Sequence, residues 1–400
     1  MIWQVLAAIF LGVHAGIITG LTPGIHINLV SLILLSSSPI LLQYTNPIVL
    51  CCFIIAMSVT HTFLDAVPSI FLGAPDADQA LNVLPGHRLL LQGKGFEAVK
   101  LTVIGSLLSL LFAIALTPIL IPFSRFIYPL IKDYIGYLLI ATVLFMILKD
   151  KNKLLNAIIF LMSGILGLLV LNMPKLDDPL FPLLSGLFGT SMLIFSLSQK
   201  VTIPEQSFEE TLKIEKQEIA KAVGAGTFAG TLTGLFPGLG PSQGAVLASQ
   251  LTKGLSEYGF MILVGGIGTV NFVFSLVTLY TLEKARNGAV IVISKLLGEY
   301  TLIALFIFAC TALIAAAAAT FLALKISKLF GKAISKVNYP LVVCSVITLI
   351  VLLVFYFSGF LGLLVLITAT AVGMVPELTG TARNHQMGCL LLPVILFFVL

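Results

Sequence analysis

Long apolar runs, broken at intervals by short polar turns, organise this chain. A helix needs about 20 apolar residues to cross the roughly 30 Å hydrocarbon core of a bilayer. Such runs predict crossings at 47–73, 97–122, 133–148, 154–171 and 183–198, then at 258–281, 296–324, 338–357, 359–375 and 386–400. Between the two sets lies a polar stretch, 199–221, with five Glu (205, 209, 210, 215, 218) and four Lys (200, 213, 216, 221). It divides the chain into a membrane unit 1–198, a charged cytoplasmic linker 199–221 and a second membrane unit 222–400. Runs such as 101–122 and 341–371 do not alternate polar with apolar residues, so a β-barrel is not expected. The fold class expected is an all-α polytopic membrane protein.

Each unit opens with a different element. Residues 2–37 and 222–252 are apolar but interrupted by Pro-Gly. Proline removes a backbone donor and clashes with the turn before it, and the glycine that follows permits a reversal. Both segments are read as helical hairpins, either re-entrant or two thin crossings. They also hold an internal repeat. GVHAGIITGLTPG, residues 12–24, matches GTFAGTLTGLFPG, residues 226–238, at eight of thirteen positions with an offset of 214. Four glycines, one threonine and the Pro-Gly pair fall in register. A half-length period signals duplication of one unit rather than a solenoid.

The number of spans sets the relative orientation of the units. A hairpin plus about five crossings is an odd count, so the second unit is expected upside down. The lysines at 149, 151 and 153, in the linker, and at 325, 328, 332 and 336 then share one side, the cytoplasmic one. Loop 74–96 falls inside. Loop 283–295 falls outside despite Lys284, Arg286 and Lys295, against the charge rule. Inverted repeats with a broken helix at the same place in each half point to a secondary transporter with its site near the midplane.

Composition narrows the class further. Of 400 residues 58% are hydrophobic and 10% charged, with mean hydropathy +1.12. Soluble domains carry roughly 25% charge, so a soluble enzyme is excluded. The net charge of +5 comes from scattered loop lysines and arginines, without a basic block for nucleic acid. The five cysteines, 51, 52, 310, 344 and 389, lack metal-ligand spacing and read as small core residues. The N-terminus has no basic segment of the secretory type, the first Lys or Arg being Arg88. No G-x-S-x-G, P-loop or H-E-x-x-H motif occurs, so neither catalysis nor ATP-driven transport by this chain alone is expected. A cofactor is not expected either, beyond Na⁺ or H⁺ as coupling ion.

Candidate binding residues cluster at the breaks. Irregular backbone at membrane depth is tolerated where it lines protein or a water-filled cavity. The helix restarting after each break offers free N–H groups and a dipole that favour an anion. The candidates are Thr19, Thr22, Pro23, Gly24, His26 and Asn28 in the first unit. In the second they are Thr231, Thr233, Pro237, Gly238, Gly240, Ser242 and Gln243. A hydroxyl bonded to a carbonyl one turn back is the competing structural reading for the Ser and Thr residues. Ionisable residues at membrane depth are rare and informative. His61 and Asp65 lie four apart, on one helix face, and are candidates for coupling to H⁺ or Na⁺, with Asn271 as the weaker counterpart in the second unit. His14 reads as a packing histidine.

The segments GLTPGIHINLV and GLFPGLGPSQG, together with LNVLPGHRLLLQGKGFEAVKL, resemble the TctA family, the large membrane subunit of tripartite tricarboxylate transporters, in particular its shorter, archaeal-type members. The resemblance implies a cation-coupled secondary carrier of carboxylates. It also implies two partners, a small membrane subunit and an extracytoplasmic binding protein. Three features depart from the pattern: the shorter length, His26-Ile27-Asn28 after the first Pro-Gly, and the lack of an Arg in the membrane segments as read here. The leading expectation is a multi-pass plasma-membrane transporter of a small organic anion, a carboxylate, driven by Na⁺ or H⁺. The alternatives are a polyprenyl-phosphate translocase and, from another class, a non-transporting membrane subunit or membrane enzyme. The layout also allows a homo-oligomer.

Overall fold

A computed structural model describes the chain apart from residues 1, 23–26, 74–82, 150, 177–178, 199–203, 209–211, 213, 237–238, 253, 286 and 335–338. The described residues form helices and turns without a strand. The first half comprises α1 (Ile2–Leu21), α2 (Ile27–Leu41), α3 (Pro47–Leu64), α4 (Ala66–Leu72), α5 (Val83–Leu91), α6 (Gly95–Ile131), α7 (Ile135–Lys149), α8 (Lys153–Leu171), α9 (Leu180–Leu184), a π turn (Ser185–Thr190) and α10 (Ser191–Ser198). The second comprises α11 (Lys216–Leu235), α12 (Pro241–Leu251), α13 (Glu257–Leu282), α14 (Gly288–Leu297), α15 (Leu302–Ile334), α16 (Tyr339–Thr379), a 3-10 turn (Arg383–Met387) and α17 (Gly388–Val399). Helix α16 breaks at Gly359, whose φ of 60° and ψ of −156° are not helical, where the hydropathy pattern splits two spans. Seven helical segments are long and apolar enough to cross a membrane by length and composition. The loops expected at 74–96 and 283–295 instead contain the short helices α5 and α14.

Two segments make the core. Pro47–Leu72 and Glu257–Leu282 have 83% and 89% of their apolar windows buried, against 44% or less for the other five. The outer helices turn Leu154, Leu161, Ile165 and Leu169 of α8, and Leu352, Leu364 and Ile367 of α16, outward. In lipid such apolar faces are satisfied, because helices keep their backbone bonds internal.

Glycines set how closely the core helices approach, and they do so in the same way in both halves. Gly12, Gly16 and Gly20 of α1 sit in turn against Phe53, Met57 and His61 of α3. Gly226, Gly230 and Gly234 of α11 sit against Leu263, Ile267 and Asn271 of α13. The partner residues in each pair differ by 210, so the same seam recurs. A Cβ on Gly16 would lie 2.5 Å from the Thr60 Cβ, and one on Gly230 would lie 2.6 Å from the Val270 Cβ. Small residues spaced this way let backbones touch. Because the registers rise together, α1 runs parallel to α3 and α11 parallel to α13. Helices α2 and α12 therefore return the chain to the side from which each hairpin began.

Further contacts fix the remaining directions. Helix α6 starts beside the end of α4, with Gly95 against Phe71, so it runs opposite to α3. It is parallel to α13, as three bonds along their length show. Lys94 Nζ donates to Tyr258 Oη (2.8 Å), Ser106 Oγ to the Gly265 carbonyl (2.9 Å) and Ser124 Oγ to Thr281 Oγ1 (3.3 Å). Hence α3 and α13 are antiparallel. They meet where Thr62 and Thr269 share a hydroxyl bond of 3.0 Å, near the middle of both 26-residue segments. The ends of the two halves are exchanged. Thr190 of the π turn bonds Thr370 of α16 at 2.6 Å, while α17 packs on α8, with Gly164 against Leu392.

The segment 204–208 is tied down rather than loose. The buried Gln206 side chain donates to the Leu90 and Pro204 carbonyls and accepts the Gly95 N–H at 2.9 Å. On α5, His87 is buried, with Nδ1 3.3 Å from the Ile70 carbonyl oxygen. Burial pushes this imidazole down to about 4, an effect the bond to Ile70 partly offsets. The unfolded chain protonates the same group near pH 6.5. Between these values the unfolded state holds more protons, so stability should fall as pH drops from about 6.5 towards 4, by roughly 3 kcal/mol in all. Melting of the detergent-solubilised protein across that range should show the loss, and His87→Gln should flatten it. A wild-type curve already flat over that interval would refute the assignment.

Candidate functional site

The polar groups at the centre of the fold come from α3, α4 and α13. Pro68 in the first turn of α4 cannot donate to the Leu64 carbonyl, and the chain steps from α3 to α4 at Asp65. Across this joint the Asp65 N–H still reaches the His61 carbonyl (2.9 Å), and Ser69 Oγ donates to the Asp65 carbonyl (2.9 Å). Asp65 is 3% exposed and His61 is equally buried. On α13 the Ser275 hydroxyl donates to the Asn271 carbonyl (2.7 Å), and Thr278 Oγ1 donates to the Gly234 carbonyl (2.9 Å). The hydroxyls of Ser58 and Thr60, also on α3, are buried without a hydrogen-bond partner.

The helices that lead into the two breaks end beside this centre. Gly20, near the end of α1, lies against His61 and Leu64, and Gly234, near the end of α11, lies against Asn271 and Phe274. Each level is within one or two helical turns of the Thr62–Thr269 contact, at 1.5 Å rise per residue. Since α3 and α13 are antiparallel, the two helix ends flank that contact from opposite sides. His61 and Asn271 thus occupy matching places beside the ends of α1 and α11. Pro23, Gly24, His26, Pro237 and Gly238 lie outside the described residues.

Several predicted contacts prove to have local work. Thr19 Oγ1 donates to the Gly16 carbonyl (3.3 Å), and Thr233 Oγ1 donates to the Gly230 carbonyl (3.1 Å). Thr22 is half-buried in the bend after α1, its N–H on the Ile18 carbonyl. Gln243 reaches back so that its Oε1 accepts the Gly240 N–H at 2.9 Å, a bond that caps the start of α12. Ser242 is buried beside it, and Thr231 is buried on α11. Asn28 does not stay at its own break. Its Oδ1 accepts the Ala289 N–H at 3.0 Å, and Gly288 leaves room for its side chain. Together with Asn287, which accepts the Val290 N–H, Asn28 satisfies orphan donors at the start of α14. Replacing Asn28 with Ala should lower stability by about 1 kcal/mol while leaving transport intact. Lost transport with unchanged melting would make Asn28 a ligand contact instead. His14 points outward, its ring on the Phe10 carbonyl at 2.8 Å, so it is not a packing residue.

Two features escaped the sequence reading. One is the hydroxyl pair Thr62 and Thr269 that joins α3 to α13, two residues that look like ordinary helix positions in a linear pattern. The other is Arg383, expected in a loop and found buried, bonded through Nε to Glu377 Oε1 at 2.8 Å. Arg383 thus belongs to the packed helical body rather than to a loop, in a turn that begins three residues before the predicted span 386–400. A separate groove of about 710 Å³ lies between α6, α13 and α15, lined by residues such as Ile121, Val277 and Phe306. Ile303 and Phe306, which line it, are strongly exposed, so it is open at the outer surface.

These observations define a multi-pass, all-helical protein of the cell membrane, in which the helix pairs α1–α3 and α11–α13 meet at a polar centre. The chain belongs to the tripartite tricarboxylate transporter TctA family, whose profile matches residues 6–388. It is also 32% identical over 418 aligned residues to an uncharacterized protein of Methanocaldococcus jannaschii, an alignment covering 98% of this chain and 99% of the relative. No solved structure matches it. Membership makes it a component of a membrane transport system.

Proposed function

We propose that this protein is the translocating subunit of a secondary carrier for a small organic carboxylate, coupled to Na⁺ or H⁺. Its two halves act as inverted units that rock about the α3–α13 contact. What supports this reading is that α1 and α11 both end beside one buried polar centre, at the middle of the two most buried helices. A small membrane subunit and an extracytoplasmic binding protein are the partners that fit the family. The substrate's carboxylate would meet the helix starts of α2 and α12, whose dipoles favour an anion, and Asp65 with His61 would serve coupling. Uptake of radiolabelled carboxylates by proteoliposomes, under imposed Na⁺ or pH gradients and with or without the two partners, tests it. Gradient-dependent accumulation of at least one carboxylate is the expected result. Failure across a broad panel, with partners present, would overturn the reading.

The apolar groove between α6, α13 and α15 favours a second reading, translocation of a polyprenyl phosphate whose tail occupies that groove. Flipping of a fluorescent polyprenyl phosphate in the same vesicles, without carboxylate uptake, would select it.

A further inference from the structure

The 3-10 turn Arg383–Met387 has unused hydrogen-bonding capacity of a defined kind. After α16 ends at Thr379 the chain reverses and descends beside that helix. Pro376 cannot donate to the Val372 carbonyl. Gln386 supplies the missing donor: its Nε2 reaches the carbonyls of Val372 (3.2 Å) and Gly373 (3.0 Å). Two carbonyl partners fix which end of the amide is nitrogen, so Oε1 is an acceptor held in place. That oxygen is buried and has no partner. Arg383 stands three residues earlier, on the same side of a 3-10 turn. Its Nε is taken by Glu377, yet its Nη2 is buried and has no partner. Arg383 is 6% exposed and Gln386 fully buried.

The turn also lies where the halves meet. Ser163, near the middle of the 19-residue α8, donates to the His385 carbonyl at 3.4 Å. The Glu377 side chain is 27% exposed against 5% for Arg383, and Leu378 to Gly380 are exposed, so the turn lies close under the surface. A buried donor and a buried acceptor left open together are unfavourable unless something completes them.

We propose that this turn is a binding station for a hydroxycarboxylate, whose carboxylate accepts from Arg383 and whose hydroxyl donates to Gln386. The proposal rests on the carboxylate-carrier reading and names a substrate class for it. Arginine suits a carboxylate because its planar fork presents parallel N–H groups. Glu377 balances the charge of the empty station, so the guanidinium is held at depth without a net buried charge. A site built to bond a hydroxyl strongly rejects the analogue that lacks it.

The test is binding to the full chain in nanodiscs, measured by calorimetry with two matched pairs, malate against succinate and citrate against tricarballylate. The hydroxy acid should bind at least about 10-fold tighter than its partner in one pair. The double variant Arg383→Gln/Glu377→Gln, which removes both charges together, should lose that preference and weaken binding about 10-fold or more, with unliganded melting near wild type. Arg383→Lys, which keeps the charge but loses the fork, should bind in between. Wild-type binding of carboxylates without hydroxyl preference overturns the station while sparing the carrier reading. So does a double variant that binds as wild type does, because a buried water then completes the turn. No binding or uptake of any carboxylate by the wild type overturns both.

Discussion

Gly105→Val should prevent this protein from reaching a monodisperse folded state in detergent. Gly105 lies on α6 where that helix presses on α13, and a Cβ there would run into the backbone carbonyl of Ile262. A side chain can swing aside, but a carbonyl inside a helix cannot move without shifting the helix. The same seam holds Gly265 against Thr102 and Gly266 against Ser109, so α6 cannot slide to make room. Overpacking of a tight core commonly costs 1–3 kcal/mol, and backbone overlap at a helix crossing belongs above that range, at ~3 kcal/mol or more. Gly224→Ala is the control, since a Cβ at Gly224 meets nothing within 4 Å. Gly16→Ala should fall between, because it meets Thr60 at 2.5 Å as well as the Met57 carbonyl at 2.6 Å. Size-exclusion profiles and melting of the three variants rank the seam directly. A Gly105→Val protein that elutes and melts like wild type would show that α6 and α13 pack otherwise.

This glycine pattern was the most legible feature of the sequence. Spacing of four lines one face of an apolar helix with glycine, and in both halves that face meets a core helix. The spans were legible for a similar reason, since 20 apolar residues in lipid leave little choice but a helix. Helices α5 and α14 were not. VLPGHRLLL and GAVIVISKLL are short, and the charges in and beside them (Arg88, Lys284, Lys295) mark loops in any hydropathy argument. Asn28 and Gln243 show a different limit. An amide beside a helix start can bind a ligand or cap a helix, and both uses need the same atoms. Only the third dimension shows Gln243 turned onto its own helix start and Asn28 turned onto another helix. Arg383 was hidden because its charge pushed the predicted span to begin after it. The pairing with Glu377 six residues earlier, which lets it enter the core, crosses a turn that no periodicity reveals.

Asp65→Asn should abolish gradient-driven accumulation while leaving exchange of preloaded substrate. Asp65 is the one acidic residue within Pro47–Leu72, and it sits at the step between α3 and α4, beside the level where α1 ends. A carboxyl at this depth is costly to keep unless function uses it. Asparagine keeps the shape and a polar surface, so the joint that Pro68 creates should persist. What it removes is the ability to carry a proton or bind a cation. An imposed 100 mV is worth about 2.3 kcal/mol for each net positive charge that crosses, counted after the substrate's own negative charge is cancelled, which at 1.36 kcal/mol per tenfold supports roughly 50-fold accumulation by the wild type when coupled cations exceed carboxylates by one. The variant should bring substrate only to equality across the membrane. Counterflow needs the substrate site and the rocking motion but no net ion movement, so it should survive. The second half has Ser275 at the matching place, 210 residues on, and cannot take over a titrating role. Accumulation by Asp65→Asn equal to wild type under the same gradient would remove Asp65 from coupling. Loss of both accumulation and counterflow with intact melting would move it into the substrate site itself.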